Sequence, residues 1–104
     1  MTEEHSIQND IRVALSSCAV VFRVNVGTIE TPDGRYFSVG LPKGFPDLFG
    51  FRKSDKQIFF IEVKTPTGRI RKEQRRFIRA MQLMGVLAGV ARSVEDAFKI
   101  IGKE

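Results

Sequence analysis

The sequence predicts an α/β fold, in which helices flank a central mixed β-sheet and the elements follow the order α-β-β-β-α-β-α. Three stretches carry apolar residues at helical spacing, and runs rich in β-branched or aromatic residues lie between them. The portion Gln57–Ala91 is a strand–helix–strand unit, which is expected to be parallel and right-handed. A chain of 104 residues without repeats or linkers predicts a single domain spanning 1–104.

The first predicted elements are a helix and a strand. Residues from about Glu3 to Ser17 carry apolar side chains at spacings of three and four, which predicts an amphipathic helix. Glu4 falls at the edge of the apolar face, an unusual place for a carboxylate that only contacts solvent. The stretch Val20–Val26 is rich in β-branched residues and predicts a strand that ends at Gly27.

The next stretch, Thr28–Gly44, contains the turn signal Pro32-Asp33-Gly34 between two short β-prone pieces. It predicts either a mobile excursion or a small hairpin. Two strands follow, at Asp47–Arg52 and Gln57–Thr65. The second contains a run of four residues that is apolar on both faces, which indicates a central strand covered on each side.

The last predicted elements are a helix, a strand and a short helix. Pro66-Thr67-Gly68 ends the preceding strand, and apolar spacing predicts a helix from about Arg71 to Met84, with Gly85 as its C-terminal cap. The stretch Val86–Ala91 predicts the final strand. Ser93 is then expected to cap the last helix.

Composition narrows the class of protein. A single cysteine excludes an internal disulfide and a zinc cluster built from thiolates. No apolar run approaches the roughly 20 residues needed to span a bilayer, and the first residues are acidic, unlike a signal peptide. These features predict a cytoplasmic protein that does not contact membranes.

Basic residues are concentrated in one part of the chain. The formal net charge is +5, and the stretch from position 64 to 79 holds seven of the 17 lysines and arginines and one acid, Glu73. The seven are Lys64, Arg69, Arg71, Lys72, Arg75, Arg76 and Arg79. Such a stripe is typical of a protein that binds the phosphate backbone of a nucleic acid. A solvated helix face gives the same pattern, so charge alone leaves both interpretations open.

The strongest chemical signal comes from strand register. If Lys53–Lys56 form a four-residue loop, paired residue numbers sum to 109 and Asp47 lies opposite Glu62. Lys64 then points to the same face as Glu62, because side chains alternate along a strand. Opposed acids with Cβ atoms about 4.5–5.5 Å apart destabilise a sheet unless a cation joins them. Mg²⁺ prefers such hard oxygen ligands.

Each half of this pattern also has an ordinary explanation. An acid–x–lysine triplet such as Glu62-Val63-Lys64 occurs often by chance in a chain with 28% charged residues. Asp47, which follows Pro46, can simply begin a strand as a turn residue. The joint placement of both beside a central apolar strand, with a basic helix after them, favours a metal site.

The residues at these positions resemble those of the VRR-NUC nucleases, the virus-type replication–repair branch of the PD-(D/E)XK superfamily. The main segments are Gly44-Phe45-Pro46-Asp47-Leu48, Ile61-Glu62-Val63-Lys64 and Gln74-Arg75-Arg76-Phe77. Glu4-x-x-x-Gln8, Phe22-Arg23-x-Asn25-x-Gly27 and Ala91-Arg92-Ser93-Val94-Glu95-Asp96 support them. The resemblance covers nearly the whole chain and is to the stand-alone form found in phages.

The resemblance implies a role for each site residue. Asp47, Glu62 and the Val63 carbonyl would bind Mg²⁺ or Mn²⁺, and Glu4 would approach the metal directly or through a water. Lys64 would orient the attacking water and offset charge in the transition state. Gln74 would reach toward the metal or toward Lys64. The implied activity is hydrolysis of phosphodiester bonds in DNA.

The same resemblance implies a homodimer that acts on branched or junction DNA in replication, recombination or repair. The basic residues between Arg69 and Arg79 are predicted from their charge to contact the DNA. One departure concerns Arg71, a poor helix cap at a position where small capping residues are usual, so the helix begins differently or uses Thr67. Two rival hypotheses remain: a nucleic-acid-binding module without catalytic activity, and a protein–protein module that docks through the basic helix.

Overall fold

The computed structural model describes residues 2–24, 28–38 and 40–102. In these ranges the helices and strands follow one another in the predicted order, with two additional short strands. The elements are α1 Glu3–Leu15, β1 Ala19–Arg23, β2 Thr28–Glu30, β3 Tyr36–Ser38, β4 Leu48–Arg52, β5 Ile58–Val63, α2 Lys72–Leu83, β6 Leu87–Ala91 and α3 Val94–Ile100.

A four-stranded mixed sheet in the order β1-β4-β5-β6 forms the centre of the fold. β4 pairs antiparallel with β1 and β5, while β5 pairs parallel with β6. The predicted α/β class and the parallel strand–helix–strand unit are therefore confirmed. The two alternatives for the segment between β1 and β4 resolve to a hairpin, β2–β3, with its turn at Pro32-Asp33-Gly34. The predicted end of the first strand, at 25–27, lies outside the described residues.

Local hydrogen bonds explain where the helices begin and end. The Thr2 hydroxyl accepts from the His5 amide at 3.1 Å, and the Ser93 hydroxyl accepts from the Asp96 amide at 3.1 Å, so side chains satisfy amides in the first turns of α1 and α3. Gly85 follows α2 with a φ of 81°, the left-handed conformation that ends many helices. The Ser93 and Gly85 predictions are confirmed. In the described ranges, no helix is long and apolar enough to cross a bilayer.

The hydrophobic core lies on one face of the sheet. Because side chains alternate along a strand, the odd-numbered residues of β5 point toward α1 and α3. This core comprises Ile11, Leu15, Ala19, Leu48, Phe59, Ile61, Val63, Ala91, Ala97 and Ile101, all buried. The even-numbered residues of β5, including Glu62, therefore point to the opposite face, which α2 covers.

An aromatic cluster joins α2 to that opposite face. Phe60 of β5 packs edge-on against Phe77 of α2 at 5.4 Å between ring centroids. Phe45, in the loop before β4, lies 5.1 Å from Phe77 and 5.7 Å from Phe60. Edge-to-face pairs of this kind stabilise a fold by about 0.5–1.5 kcal/mol beyond their buried area. The cluster thus holds the loop that leads to Asp47 against both β5 and α2.

Candidate functional site

Asp47 and Glu62 face each other at the end of the β4–β5 pairing. The observed pairs Leu48–Ile61 and Phe49–Phe60 each sum to 109, which confirms the predicted register. Beyond the last pair, the Asp47 carboxylate accepts a hydrogen bond from the Val63 amide at 3.0 Å. Asp47 is half-buried, and its side chain here supplies the acceptor that a further strand residue would otherwise provide.

Glu62 and Lys64 are buried on the sheet face that α2 covers. Only 1% of Glu62 and 7% of Lys64 is exposed, and the Lys64 Nζ lies 3.5 Å from the Glu62 Oε2. The Lys64 amide donates to the Ala91 carbonyl at 3.1 Å, which extends the parallel pairing with β6. Buried charges of this type persist only when paired or when they bind a further charged group.

Gln74 connects the buried carboxylate to the start of α2. Its Nε2 donates to Glu62 Oε2 at 2.8 Å, and its Oε1 accepts from the Arg71 amide at 2.9 Å. These two bonds fix which end of the side-chain amide faces Glu62. They also answer the capping question: Arg71 is the N-cap, Thr67 is not, and the Gln74 side chain satisfies the Arg71 amide.

The second oxygen of Glu62 has an unusual environment. Oε1 is buried and accepts no hydrogen bond from the described residues. Burial first, and then the negative charge of Asp47, raise the pKa of Glu62 to about 8, although the Lys64 ammonium opposes this shift. An orphaned carboxylate oxygen beside a second carboxylate fits a divalent cation with hard oxygen ligands. In an extended strand the amide and the carbonyl of one residue point to the same edge, so the bond from the Val63 amide to Asp47 predicts that the Val63 carbonyl lies at this edge as well.

The other implied ligand, Glu4, lies in the first turn of α1 and is half-buried. Within the described ranges, no three histidine, cysteine, aspartate or glutamate side chains lie together as a metal-binding group. The structure therefore brings Asp47 and Glu62 together without Glu4 as a third carboxylate. Contact of Glu4 with a metal through a water stays a prediction.

The predicted DNA-binding residues form an exposed surface. Arg69, Arg71, Lys72, Arg75, Arg76 and Arg79 are all exposed. Four of them, at positions 72, 75, 76 and 79, follow the three- and four-residue spacing of one helix face. Across the described parts of the chain, none of the six has a carboxylate within ion-pair distance. We call these six residues the basic stripe; its charge is free to attract phosphate.

The structure shows two further contacts around the site. Gly44, with a φ of 88°, lies so close to α2 that an added Cβ would be 2.5 Å from the Glu73 carbonyl. A glycine at this position of the sequence predicts either a close backbone approach near Asp47 or an ordinary turn, and the structure shows the close approach. Arg92 donates to the carbonyls of Thr65, the residue that follows Lys64, and of Gly68. These contacts were not predicted from the sequence. The sequence signal of Arg92 was its place in the segment that resembles the nuclease family.

The raised pKa of Glu62 predicts how stability depends on pH. Between its usual value of 4.5 and about 8, the folded state retains a proton that the unfolded state has released. The metal-free protein should therefore lose stability as pH rises through this window, with a limiting slope of about 1.4 kcal/mol per pH unit, and level off above it. Urea denaturation in EDTA from pH 5 to 9 measures this dependence.

Glu62→Gln supplies the control for that experiment. The amide cannot titrate, so the free energy of unfolding of the variant should vary less with pH than that of the wild type over the same window. Parallel profiles for the two proteins would show that another group causes the dependence.

Comparison with known proteins points to one family. The family model described as "VRR-NUC domain" matches residues 7–95. A solved structure described as "VRR_NUC domain" is similar to this chain, with a TM-score of 0.69 and 22% sequence identity. The alignment covers 98% of this chain and 97% of the chain in that structure. At that identity the likeness shows the fold. No match is found among curated proteins.

Proposed function

The chain belongs to the VRR-NUC domain family, and from this membership and the geometry of the site we propose that it is a metal-dependent nuclease that hydrolyses phosphodiester bonds in DNA. The observation that carries the proposal is the buried Glu62. Its carboxyl group lies near the Asp47 charge, its Oε1 accepts no hydrogen bond from the described residues, and its Oε2 lies 3.5 Å from the Lys64 ammonium. Neither acid is needed to bind nucleic acid, since carboxylates repel phosphate. The arrangement supports a place in the PD-(D/E)XK superfamily.

In this proposal each site residue has a distinct task. Asp47, Glu62 and the Val63 carbonyl would hold Mg²⁺ or Mn²⁺, and Glu4 would approach the metal through a water. A bound divalent cation would lower the pKa of a water and offset negative charge on the phosphate. Lys64 orients the attacking water and donates to phosphate oxygens as charge builds up on them. Gln74 holds the Glu62 carboxylate through its 2.8 Å hydrogen bond.

The basic stripe supplies the proposed path for the DNA backbone. Gln74, which contacts Glu62, lies on the same helix as Lys72, Arg75, Arg76 and Arg79, so DNA bound along α2 would pass near the carboxylates. Salt-dependent phosphate contacts of this kind do not depend on base sequence.

We expect replacement of Arg75, Arg76 and Arg79 by alanine to weaken DNA binding and flatten its salt dependence. Three lost phosphate contacts lower the log–log slope by up to about 2.7, since each contributes about 0.9 on duplex DNA. Fluorescence anisotropy at several salt concentrations measures both quantities. As a control, Arg12 and Lys99, exposed bases on α1 and α3, are replaced by alanine. An unchanged slope in the stripe variant would mean that DNA binds elsewhere.

We propose further that two copies of the chain act together. One copy presents one Asp47–Glu62 pair, and symmetric cutting of a duplex or a branched junction requires two sites related by a two-fold axis. Sedimentation of the free protein, and of the protein with a four-way junction, tests this: a monomer in both conditions would contradict it.

The proposed activity is tested by incubating the protein with plasmid DNA and with a branched oligonucleotide, in Mg²⁺, Mn²⁺ or EDTA. Cleavage is expected in the presence of metal, and both EDTA and Glu62→Ala should abolish it. The preferred substrate would then define the selectivity for DNA structure. Salt-sensitive DNA binding that survives EDTA, with no cleavage of either substrate, would instead favour a binding module without catalytic activity.

A further inference from the structure

Arg92 connects the end of β6 to the turn that follows Lys64. Its Nη1 donates to the Thr65 carbonyl at 2.6 Å and to the Gly68 carbonyl at 2.7 Å. The Gly68 amide also donates to the Thr65 carbonyl, at 3.1 Å. The guanidinium therefore reinforces both ends of the Thr65–Gly68 turn, which leads from the buried Lys64 to the basic stripe.

The backbone of Arg92 is fixed in its own right. Its amide donates to the Asp96 carboxylate at 2.9 Å, and the Asp96 amide donates to the Ser93 hydroxyl at 3.1 Å. The preceding residue, Ala91, accepts the hydrogen bond from the Lys64 amide. The backbone of Arg92 is thus held by both β6 and α3, and its side chain connects the turn to these two elements.

The charge of Arg92 is committed to these carbonyls. Arg92 is half-buried, and among the described residues no carboxylate lies within ion-pair distance of it. The turn has few hydrogen bonds of its own. Pro66 has no amide to donate, and within the described residues the backbone hydrogen bond inside the turn is the one from the Gly68 amide to the Thr65 carbonyl. A planar guanidinium donates to two carbonyls with fixed geometry, which a flexible ammonium does not reproduce.

We propose that Arg92 is a positioning residue for the proposed nuclease reaction. By holding the Thr65–Gly68 turn, it keeps the adjacent Lys64 ammonium near the carboxylates and sets where the chain enters α2. The proposal rests on the proposed function for its effect on rate, while its effect on the turn is independent of that function. The bonds of the Arg92 side chain within residues 2–24, 28–38 and 40–102 go to the turn and not to Asp47 or Glu62, so Arg92 acts through Lys64.

The test compares Arg92→Ala and Arg92→Lys with Lys99→Ala, which removes an exposed base from α3 as a control for charge. Amide hydrogen exchange at Gly68 reports on the turn. Single-turnover cleavage, with protein in saturating excess over DNA and with saturating metal, reports on the chemical step, and anisotropy gives the Kd for DNA. Thermal unfolding of every variant checks that each is folded at the assay temperature.

Arg92→Ala should speed exchange at Gly68 and slow single-turnover cleavage by about 10- to 100-fold, the range found when residues that orient catalytic groups are lost. The Kd for DNA should change by less than about 2-fold, because the guanidinium donates to backbone carbonyls and its loss removes no phosphate contact. Low millimolar guanidinium ion should restore part of the rate in Arg92→Ala and leave the wild type unchanged. Arg92→Lys should give exchange and cleavage rates between those of Arg92→Ala and the wild type, and the rates of Lys99→Ala should match those of the wild type.

Unchanged Gly68 exchange in Arg92→Ala would overturn the proposal, and so would a weaker Kd with an unchanged rate, which would make Arg92 a phosphate contact. If Arg92→Ala does not fold, Arg92→Lys decides by the same criteria. Failure of the wild type to cleave any substrate would refute the proposed nuclease function. The exchange measurement would then still decide whether Arg92 holds the turn.

Discussion

Asp47→Asn should lower metal-dependent DNA cleavage by about 10³-fold or more while the protein stays folded. The asparagine Oδ1 can still accept the hydrogen bond from the Val63 amide that Asp47 accepts at 3.0 Å. The neutral amide, however, removes one of two carboxylates and is a weaker ligand for a divalent cation. The variant thus separates the structural contact of Asp47 from its charge.

The stability of the same variant in EDTA provides a second expectation. The Asp47 charge is one reason why the pKa of Glu62 is raised, which means that the two carboxylates repel each other in the metal-free protein. Removing that charge should leave the free energy of unfolding at pH 8 equal to or higher than that of the wild type. Metal should then stabilise Asp47→Asn much less than it stabilises the wild type.

Two further variants complete this experiment. Asp47→Ala removes the acceptor as well as the charge, so it should lose activity and also about 1–3 kcal/mol of stability, because the Val63 amide is left unpaired. Asp10→Asn, at an exposed acid of α1, controls for the change in net charge and should retain full activity. Cleavage by Asp47→Asn near the wild-type rate would remove Asp47 from the set of proposed ligands.

The register of the site was predictable because it depends on short-range rules. A loop of fixed length between two antiparallel strands determines which residues pair, and alternation then determines which side chains share a face. These two rules predicted that Asp47 lies opposite Glu62 and that Lys64 lies on the same face as Glu62, as the structure shows. The loop itself includes Lys56 with a φ of 63°, a conformation that its sequence does not signal.

Contacts between distant segments were not predictable in the same way. Arg92 contacts Thr65 and Gly68, 27 and 24 positions earlier, and no periodicity encodes such a crossing. The start of α2 was left open because Arg71 is a poor cap by propensity. The amide of Arg71 is satisfied by a side chain three residues later, Gln74, whose other end reaches Glu62. That bond depends on how α2 packs on the sheet, which sequence spacing does not determine.

Gly44→Ala is expected to be among the most destabilising single substitutions near the site. Gly44 has a φ of 88°, and an added Cβ would lie 2.5 Å from the Glu73 carbonyl carbon and oxygen and 2.9 Å from the Gln74 amide nitrogen. All three are backbone atoms of α2, so no side-chain rotation relieves the contact. The loop that carries Phe45 and Asp47 must move away from α2, at a cost of about 3 kcal/mol or more.

Gly34→Ala separates the clash from the backbone conformation. Gly34 has nearly the same φ, 86°, but an added Cβ there meets nothing within 4 Å. Its cost should be the conformational term alone, about 1–2 kcal/mol. In urea denaturation, the free energy of unfolding of Gly44→Ala should therefore be well below that of Gly34→Ala. The cleavage rate should fall steeply only in Gly44→Ala, because displacing the loop shifts Asp47 away from Glu62. Equal losses of stability at the two positions would show that the loop does not press on α2, and that Asp47 is positioned by β4 alone.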